Sequence, residues 1–349
     1  MQLSIERTPT PSERTPTPSE RTPAPSERTP APSERTPTRR LSLPRGAGLW
    51  TAVIVLVVAS SLISPHFLNP TNLLNVLRQV ALYGILGVGM TFVILTKGID
   101  LSVGSIVAFS GVFGATLMER GLPIPVTVVC SLAAGTLMGA VNGLGVAYWR
   151  VPAFIMTLGT MVMIRGFGLM VADGGTVNPG KAAENFFWLG GGYLMAVPTP
   201  IYVFAAVCLI AYVVLSHTTF GRAVFAVGSN DEAARLSGIN VPVTSFAVFV
   251  ICGFLAALSG LIFLSRLSVG DPNSGLGLEL EAITIAVIGG TSLFGGEGGV
   301  VGTIGGAMIL AIIANVLNLA GVSPFSQQVV KGAIIILAVM LETARKRRD

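Results

Sequence analysis

Charge is what this 349-residue sequence has least of: Asp, Glu, Lys and Arg make up 11% of it against 52% hydrophobic residues, a balance soluble domains do not approach. The shortage is sharper than the average implies, because the first 45 residues hold five of the 17 acids and eight of the 22 bases. Cysteine is scarce and odd in number. Cys130, Cys208 and Cys252 each lie inside an apolar run with no CxxC or histidine spacing, which favours thiols packed between helices over a disulfide or a metal site. The two histidines, His66 and His217, are far apart, and no carboxylate pair sits in the core of an apolar run. Catalysis and a proton-driven relay therefore both lack their groups, and no cofactor is implied. A cleavable signal is missing as well: the first apolar run starts at Leu49 and no small-residue cleavage site follows it.

What the chain has instead is long apolar runs. Measured against the roughly twenty residues that cross a bilayer, about ten spans are predicted. Their cores are Leu49 to Ile63, Val76 to Leu95, Leu101 to Met118, Ile124 to Tyr148, Phe154 to Ala172, Ile201 to Leu215, Val243 to Leu264, Ala282 to Phe294, Gly299 to Ala320 and Gln328 to Leu341. This is an all-α, polytopic membrane protein. Arg39, Arg40 and Arg45 before the first span and Arg345, Lys346, Arg347 and Arg348 after the last predict both termini in the cytoplasm, in agreement with an even number of crossings. The net charge of +5 comes largely from such flanking bases, so it reads as orientation signal and not as affinity for nucleic acid. Small residues at fourfold spacing, Gly139 with Gly143 and Gly298 with Gly302 and Gly306, predict closely packed helices, because lipid supplies no hydrophobic drive for helix association.

Ahead of the spans, residues 6–36 repeat a seven-residue unit, Glu-Arg-Thr-Pro-Thr/Ala-Pro-Ser. Two prolines per unit and no apolar pair exclude a coiled coil, so residues 1–45 are expected to be a disordered cytoplasmic tail preceding a membrane domain over 46–349.

The polar interruption at residues 216–242 is the most informative stretch. Ser229 or Asn230 can cap a short helix, Asp231 and Glu232 suit the positive end of its dipole, Gly238 suits a left-handed stop, and Pro242 opens the next span. Two turns of helix are not stable alone, so this one is expected to lie against a partner. Elsewhere, Asp100 or Ser102 can cap the helix after Thr96-Lys-Gly-Ile, and the glycine-rich segment 289–299 suits a re-entrant or hairpin connection. It is no phosphate cradle, since no Lys-Ser or Lys-Thr follows. Arg165 and Lys331 lie inside apolar runs, where a charge is expensive and can serve a substrate, a gate or a headgroup.

Four ordered motifs now carry a resemblance: residues 96–104, Val151 to Thr160 leading to Arg165-Gly166, Thr219 to Ile239, and Glu279 to Gly306. Together they resemble the permease subunits of ribose, xylose, arabinose and galactose type ABC importers, over nearly everything from Leu49 to Arg345. The resemblance implies a ten-helix permease of the ABC importer fold in the inner membrane, acting as a homodimer or pseudo-dimer. It further implies that the permease accepts sugar from a periplasmic binding protein and rests on a cytoplasmic ATPase subunit. Its coupling signature falls on Glu232-Ala233-Ala234 and Gly238, with Arg222 and Asn230 in the same segment. The candidate translocation pathway is Asp100, Ser102, Asn142, Phe154, Thr157, Arg165 and Asn315. A stand-alone secondary transporter would fit the hydropathy but calls for buried acidic residues, and an integral membrane enzyme calls for clustered His, Asp or Glu.

Overall fold

The computed structural model describes residues 47–346. The heptapeptide repeat and the flanking Arg39, Arg40, Arg45, Arg347 and Arg348 lie outside the described residues. Thirteen helices follow in order: α1 (Ala47–Ile63), α2 (Pro70–Leu95), α3 (Val103–Glu119), α4 (Ile124–Ala147), α5 (Ala153–Val171), α6 (Ala182–Phe186), α7 (Thr199–His217), α8 (Thr219–Ser229), α9 (Asp231–Leu236), α10 (Val241–Leu267), α11 (Leu278–Ile288), α12 (Val300–Leu319) and α13 (Pro324–Lys346).

Prolines punctuate the long helices. Pro70, Pro125, Pro200 and Pro242 occupy the first or second helical position of α2, α4, α7 and α10, where the missing N–H would have had no partner. Asn69 and Asn240 complete two of these starts by accepting from Thr71 N at 3.0 Å and Val243 N at 3.2 Å. Six helices, α2, α4, α5, α7, α10 and α12, are long and apolar enough to cross a membrane, and α1 and α3 are apolar but 17 residues each. The span expected over 282–294 differs. Its helix, α11, has 11 residues, about 16 Å at 1.5 Å per residue, and residues 289–299 form a loop. Five consecutive glycine-rich positions from Gly295 cannot sustain a helix against their backbone entropy.

Burial sorts these helices into a centre and a rim. Within their most apolar windows, α2 is 78% and α10 67% buried, whereas α4 and α5 are each 22% buried. α2 and α10 are thus the pillars of the bundle. The outward faces of α4 and α5 carry Val129, Leu137, Ile155, Val162 and Met170, all exposed apolar side chains suited to lipid. The expected glycine ridges account for the close packing. Gly139 and Gly143 of α4 lie on the α10 backbone: a Cβ at Gly139 would sit 2.9 Å from Gly253 Cα, and one at Gly143 2.8 Å from Phe246 O. Gly302 and Gly306 face Gly289 and Ile285 of the α11 segment in the same way. Gly298 is not part of that ridge; it precedes α12 and abuts Thr291 in the loop.

The connection between α5 and α7 is ordered. It holds α6, a single 3-10 turn over Phe187–Leu189, and a two-residue hairpin, β1 (Tyr193–Leu194) against β2 (Val197–Pro198). Met195 and Ala196 both have positive φ, the primed turn that a two-residue hairpin requires. Val177 bridges Gly270, and Ser265 Oγ donates to Phe186 O at 2.6 Å while accepting from Gly190 N at 2.8 Å, which ties this connection to the end of α10.

Candidate functional site

The polar interruption between α7 and α10 contains two helices, not one. α8 starts at Thr218, whose hydroxyl accepts from Gly221 N at 3.1 Å. Asn230 then serves twice: its N–H donates to Ala226 O to close α8, and its Oδ1 accepts from Ala233 N at 3.0 Å to open α9. Its extended backbone, φ −155° and ψ 108°, turns the chain between the two helices. Asp231 and Glu232 in the first turn and Arg235 in the last complement the helix dipole. The stop is as the sequence predicts. Gly238 has φ +83°, and the Ile239 N–H reaches Ala234 O at 3.0 Å, so the carbonyls at the end of α9 are satisfied by a left-handed turn.

α9 is nearly all surface. Ala234 is its one buried residue; Asp231, Glu232, Ala233 and Arg235 are exposed, and Leu236 is 85% exposed. A six-residue helix this bare has little packing of its own. Sequence reading found Glu232, Ala233, Ala234 and Gly238 but not Leu236, the largest apolar group on the knob. Arg222 is exposed on α8, on the same segment.

Gly228 of α8 ties this segment to the bundle. A Cβ there would overlap the Leu95 carbonyl at the end of α2 and lie 2.5 Å from Gly296 N, which itself donates to Leu95 O at 3.0 Å. Three backbones therefore meet at one point: the end of α8, the end of α2 and the loop before α12. The contact is backbone on backbone, with no side chain at Gly228 or Gly296 to yield. The periodicity of the chain carried no sign of this junction, although Gly228 was in plain view.

A second arrangement gathers four of the expected pathway residues. Asp100 and Ser102 lie in the connection between α2 and α3, outside both helices, and are 0% exposed, as is Asn142 of α4. Asp100 Oδ1 accepts from Ser102 N at 2.9 Å and Ser102 Oγ at 2.6 Å; Asn142 Nδ2 donates to Ser102 Oγ at 2.8 Å; Thr160 Oγ donates to Asn142 Oδ1 at 2.7 Å. Thr157 of α5 places its hydroxyl 3.0 Å from Ile99 O and 2.8 Å from Ala153 O. Ser102 stands at the start of α3 but makes no capping bond, because its hydroxyl is committed to Asp100. Burial raises the Asp100 carboxyl above the ordinary carboxylate range, while hydrogen bonds from Ser102, Asn142 and Cys252 oppose that rise. The network binds α3, α4 and α5 together. Sequence reading missed Thr160, one turn from Thr157 on the same helix face.

The remaining pathway candidates lie elsewhere. Phe154 is 54% exposed at the start of α5, Arg165 is half-buried further along that helix, and Asn315 belongs to α12. Asn315 and Asn72 exchange two amide hydrogen bonds at 2.8 and 3.0 Å, an arrangement that pairs α12 with α2.

Six helices long and apolar enough to cross a membrane describe a polytopic membrane protein, and comparison with known proteins gives its class. Residues 72–339 match the family described as branched-chain amino acid transport system / permease component, and the chain belongs to that family. It is 45% identical over 297 residues to the ribose import permease protein RbsC of Escherichia coli (strain K12), covering 84% of this chain and 92% of that one. RbsC of Bacillus subtilis (strain 168) is 41% identical over 295 residues, covering 84% and 92%. The xylose transport system permease protein XylH of Escherichia coli (strain K12) is 39% identical over 343 residues, covering 81% and 87%. No solved structure matches the chain.

Proposed function

We propose that the chain is the membrane-spanning subunit of an ATP-binding-cassette importer that passes a monosaccharide, ribose or a related pentose or hexose, from a periplasmic binding protein into the cytoplasm. The observation that carries the reading is α9, a capped helix whose Leu236 and charged neighbours are bare and whose base is fastened to α2. A separate ATPase subunit covers this knob, with Arg222, Glu232, Ala233 and Leu236 in the contact and Asn230, Ala234 and Gly238 holding its shape. Nucleotide-driven movement then enters the bundle at Gly228 and tilts α2 and α10 as rigid bodies. The names of the relatives, ribose and xylose permeases, support a sugar as cargo.

In this reading ten segments cross the inner membrane, α1 to α5, α7 and α10 to α13, with α11 completed by the loops on either side of it. Both termini and α9 face the cytoplasm, and two permease copies, identical or related, form the passage. The network of Asp100, Ser102, Asn142 and Thr157 braces the helices beside that passage, Phe154 and Arg165 stand on α5 toward its rim, and Asn315 sets the distance between α12 and α2.

Reconstitution tests the whole. In proteoliposomes holding this chain and its ATPase subunit, with binding protein outside, ribose uptake is expected to require ATP and to stop when the ATPase subunit is omitted. Uptake without that subunit would make the chain a stand-alone secondary transporter. Uptake of leucine in place of any sugar would return the cargo to the one in the family description.

A further inference from the structure

The groups that α9 and the Asp100 network leave unused run from the middle of α2 toward its start, away from α9. Arg266 is in the last turn of α10, 25 residues or about 37 Å from the end that follows α9. On α2, which packs against α10, Arg78 and Gln79 lie in the half away from Gly228, and Tyr83 lies at the helix midpoint against Phe263, one turn before Arg266. Glu281 of α11 and Lys331 of α13 form the one salt bridge among the described residues, with side chains 17% and 37% exposed. α2 packs against both α10 and α11, with Gly87, one turn beyond Tyr83, against Ile285, one turn beyond Glu281. Arg78 also lies over the Tyr193 ring, 5.1 Å from its centre, in the hairpin that follows α6.

Several of these groups lack the partners that burial demands. Arg78 Nε and Gln79 Oε1 are buried with no hydrogen bond, and Arg266 is half-buried with no carboxylate within ion-pair distance. Three cations and one anion from four helices is an arrangement poor for helix packing, since each unpaired group adds a desolvation cost. It is good for a ligand that brings both donors and acceptors. The Tyr83 ring, 6.4 Å from that of Phe263, adds an apolar face beside them.

We infer that Arg78, Gln79, Tyr83, Arg266, Glu281 and Lys331 form a receiving site for a neutral polyol that reaches from the half of the permease away from the ATPase knob to the midpoint of α2. Arginine and lysine N–H groups donate to ring and hydroxyl oxygens, and Gln79 Oε1 and the Glu281 carboxylate accept from hydroxyls. The Tyr83 hydroxyl donates to a sugar oxygen and its ring takes the C–H face. The Lys331–Glu281 bridge opens to admit the ligand, so the site is satisfied either by its own ion pair or by the sugar. This inference rests on the sugar-importer reading and assigns the residues that take the sugar from the binding protein.

Two variants in the reconstituted transporter, with ribose as probe, test it. Tyr83→Phe keeps the ring and its packing and removes only the hydroxyl; Arg266→Gln removes a cation that pairs with no carboxylate. Uptake is expected to fall about tenfold or more in Arg266→Gln and severalfold in Tyr83→Phe, while ATP hydrolysis stimulated by loaded binding protein stays within twofold of wild type. Wild-type uptake in both variants would overturn the site, as would uptake and ATP hydrolysis falling together, the mark of a merely structural role. The exchanged pair Glu281→Lys with Lys331→Glu gives a further arm. Its full activity would make the bridge an ordinary strut and count against the site, whereas loss of uptake in a normally inserted protein supports it. If the wild-type transporter moves no ribose, xylose or other neutral sugar, the importer reading and this inference fall together; if it does and the variants match it, only the inference falls.

Discussion

Position 238 separates conformational strain from steric crowding cleanly. Gly238 has φ +83°, and a Cβ added there would meet nothing within 4 Å, so any effect of a side chain comes from the backbone and not from a neighbour. Holding an L-residue in the left-handed region costs about 1–2 kcal/mol, more for a β-branched residue and less for asparagine, whose short polar side chain tolerates it. One to two kcal/mol changes the occupancy of the native turn by a factor of about 5 to 30. The turn closes α9 and precedes the Asn240 cap of α10, so under the proposed coupling its loss separates the knob from the bundle. The measurement is ATP hydrolysed per sugar imported in proteoliposomes for a series at this site. Coupled uptake is expected to decline in the order Gly, Asn, Ala, Val, with ATP hydrolysis continuing and the thermal stability of the bundle unchanged. A valine variant as well coupled as wild type, or an asparagine variant as poor as valine, would show that the left-handed turn plays no part.

Other sites give shorter tests. Gly228→Ala forces a methyl into the Leu95 carbonyl, where neither backbone can give way; a cost of about 1–3 kcal/mol in thermal unfolding and loss of coupled uptake are expected. Leu236→Asp changes an exposed side chain, so stability should move by no more than about 0.5 kcal/mol while the amount of ATPase subunit co-purifying falls sharply. Asn315→Leu leaves Asn72 without its amide partner and should cost about 1–3 kcal/mol in detergent unfolding, of which Asn72→Leu added to it recovers part. Deleting residues 2–38 should leave uptake unchanged in vesicles, because the repeat has almost no apolar surface with which to pack.

Much of this was legible before any fold was in hand, and the reason is local chemistry. Around the polar knob the helix boundaries follow from groups that act within one turn: Asn230 as a cap, Pro242 as a start and Gly238 as a stop. Apolar run length marks spans because lipid offers the backbone no hydrogen bonds, so a long greasy segment has to be helical. The same signal misled at residues 282–294, where apolar content continues past the helix end and glycine decides otherwise. It was blind to α8 as well, because an amphipathic helix of 11 residues looks like loop beside runs twice its length.

The sequence by itself determined that the chain lives in a membrane, where its long helices begin, and that a capped polar knob interrupts them, since each of these depends on residues within a few positions of one another. Only the tertiary structure decided which groups meet. Ser102 gives up its cap to Asp100 and Asn142, Gly228 meets the end of α2 rather than open lipid, and Lys331 of α13 pairs with Glu281 of α11. Apart from Ser102 with Asp100, these encounters join residues at least 40 positions apart. They depend on the rotation and tilt of helices about one another, which close packing of glycine against backbone sets and no local pattern encodes.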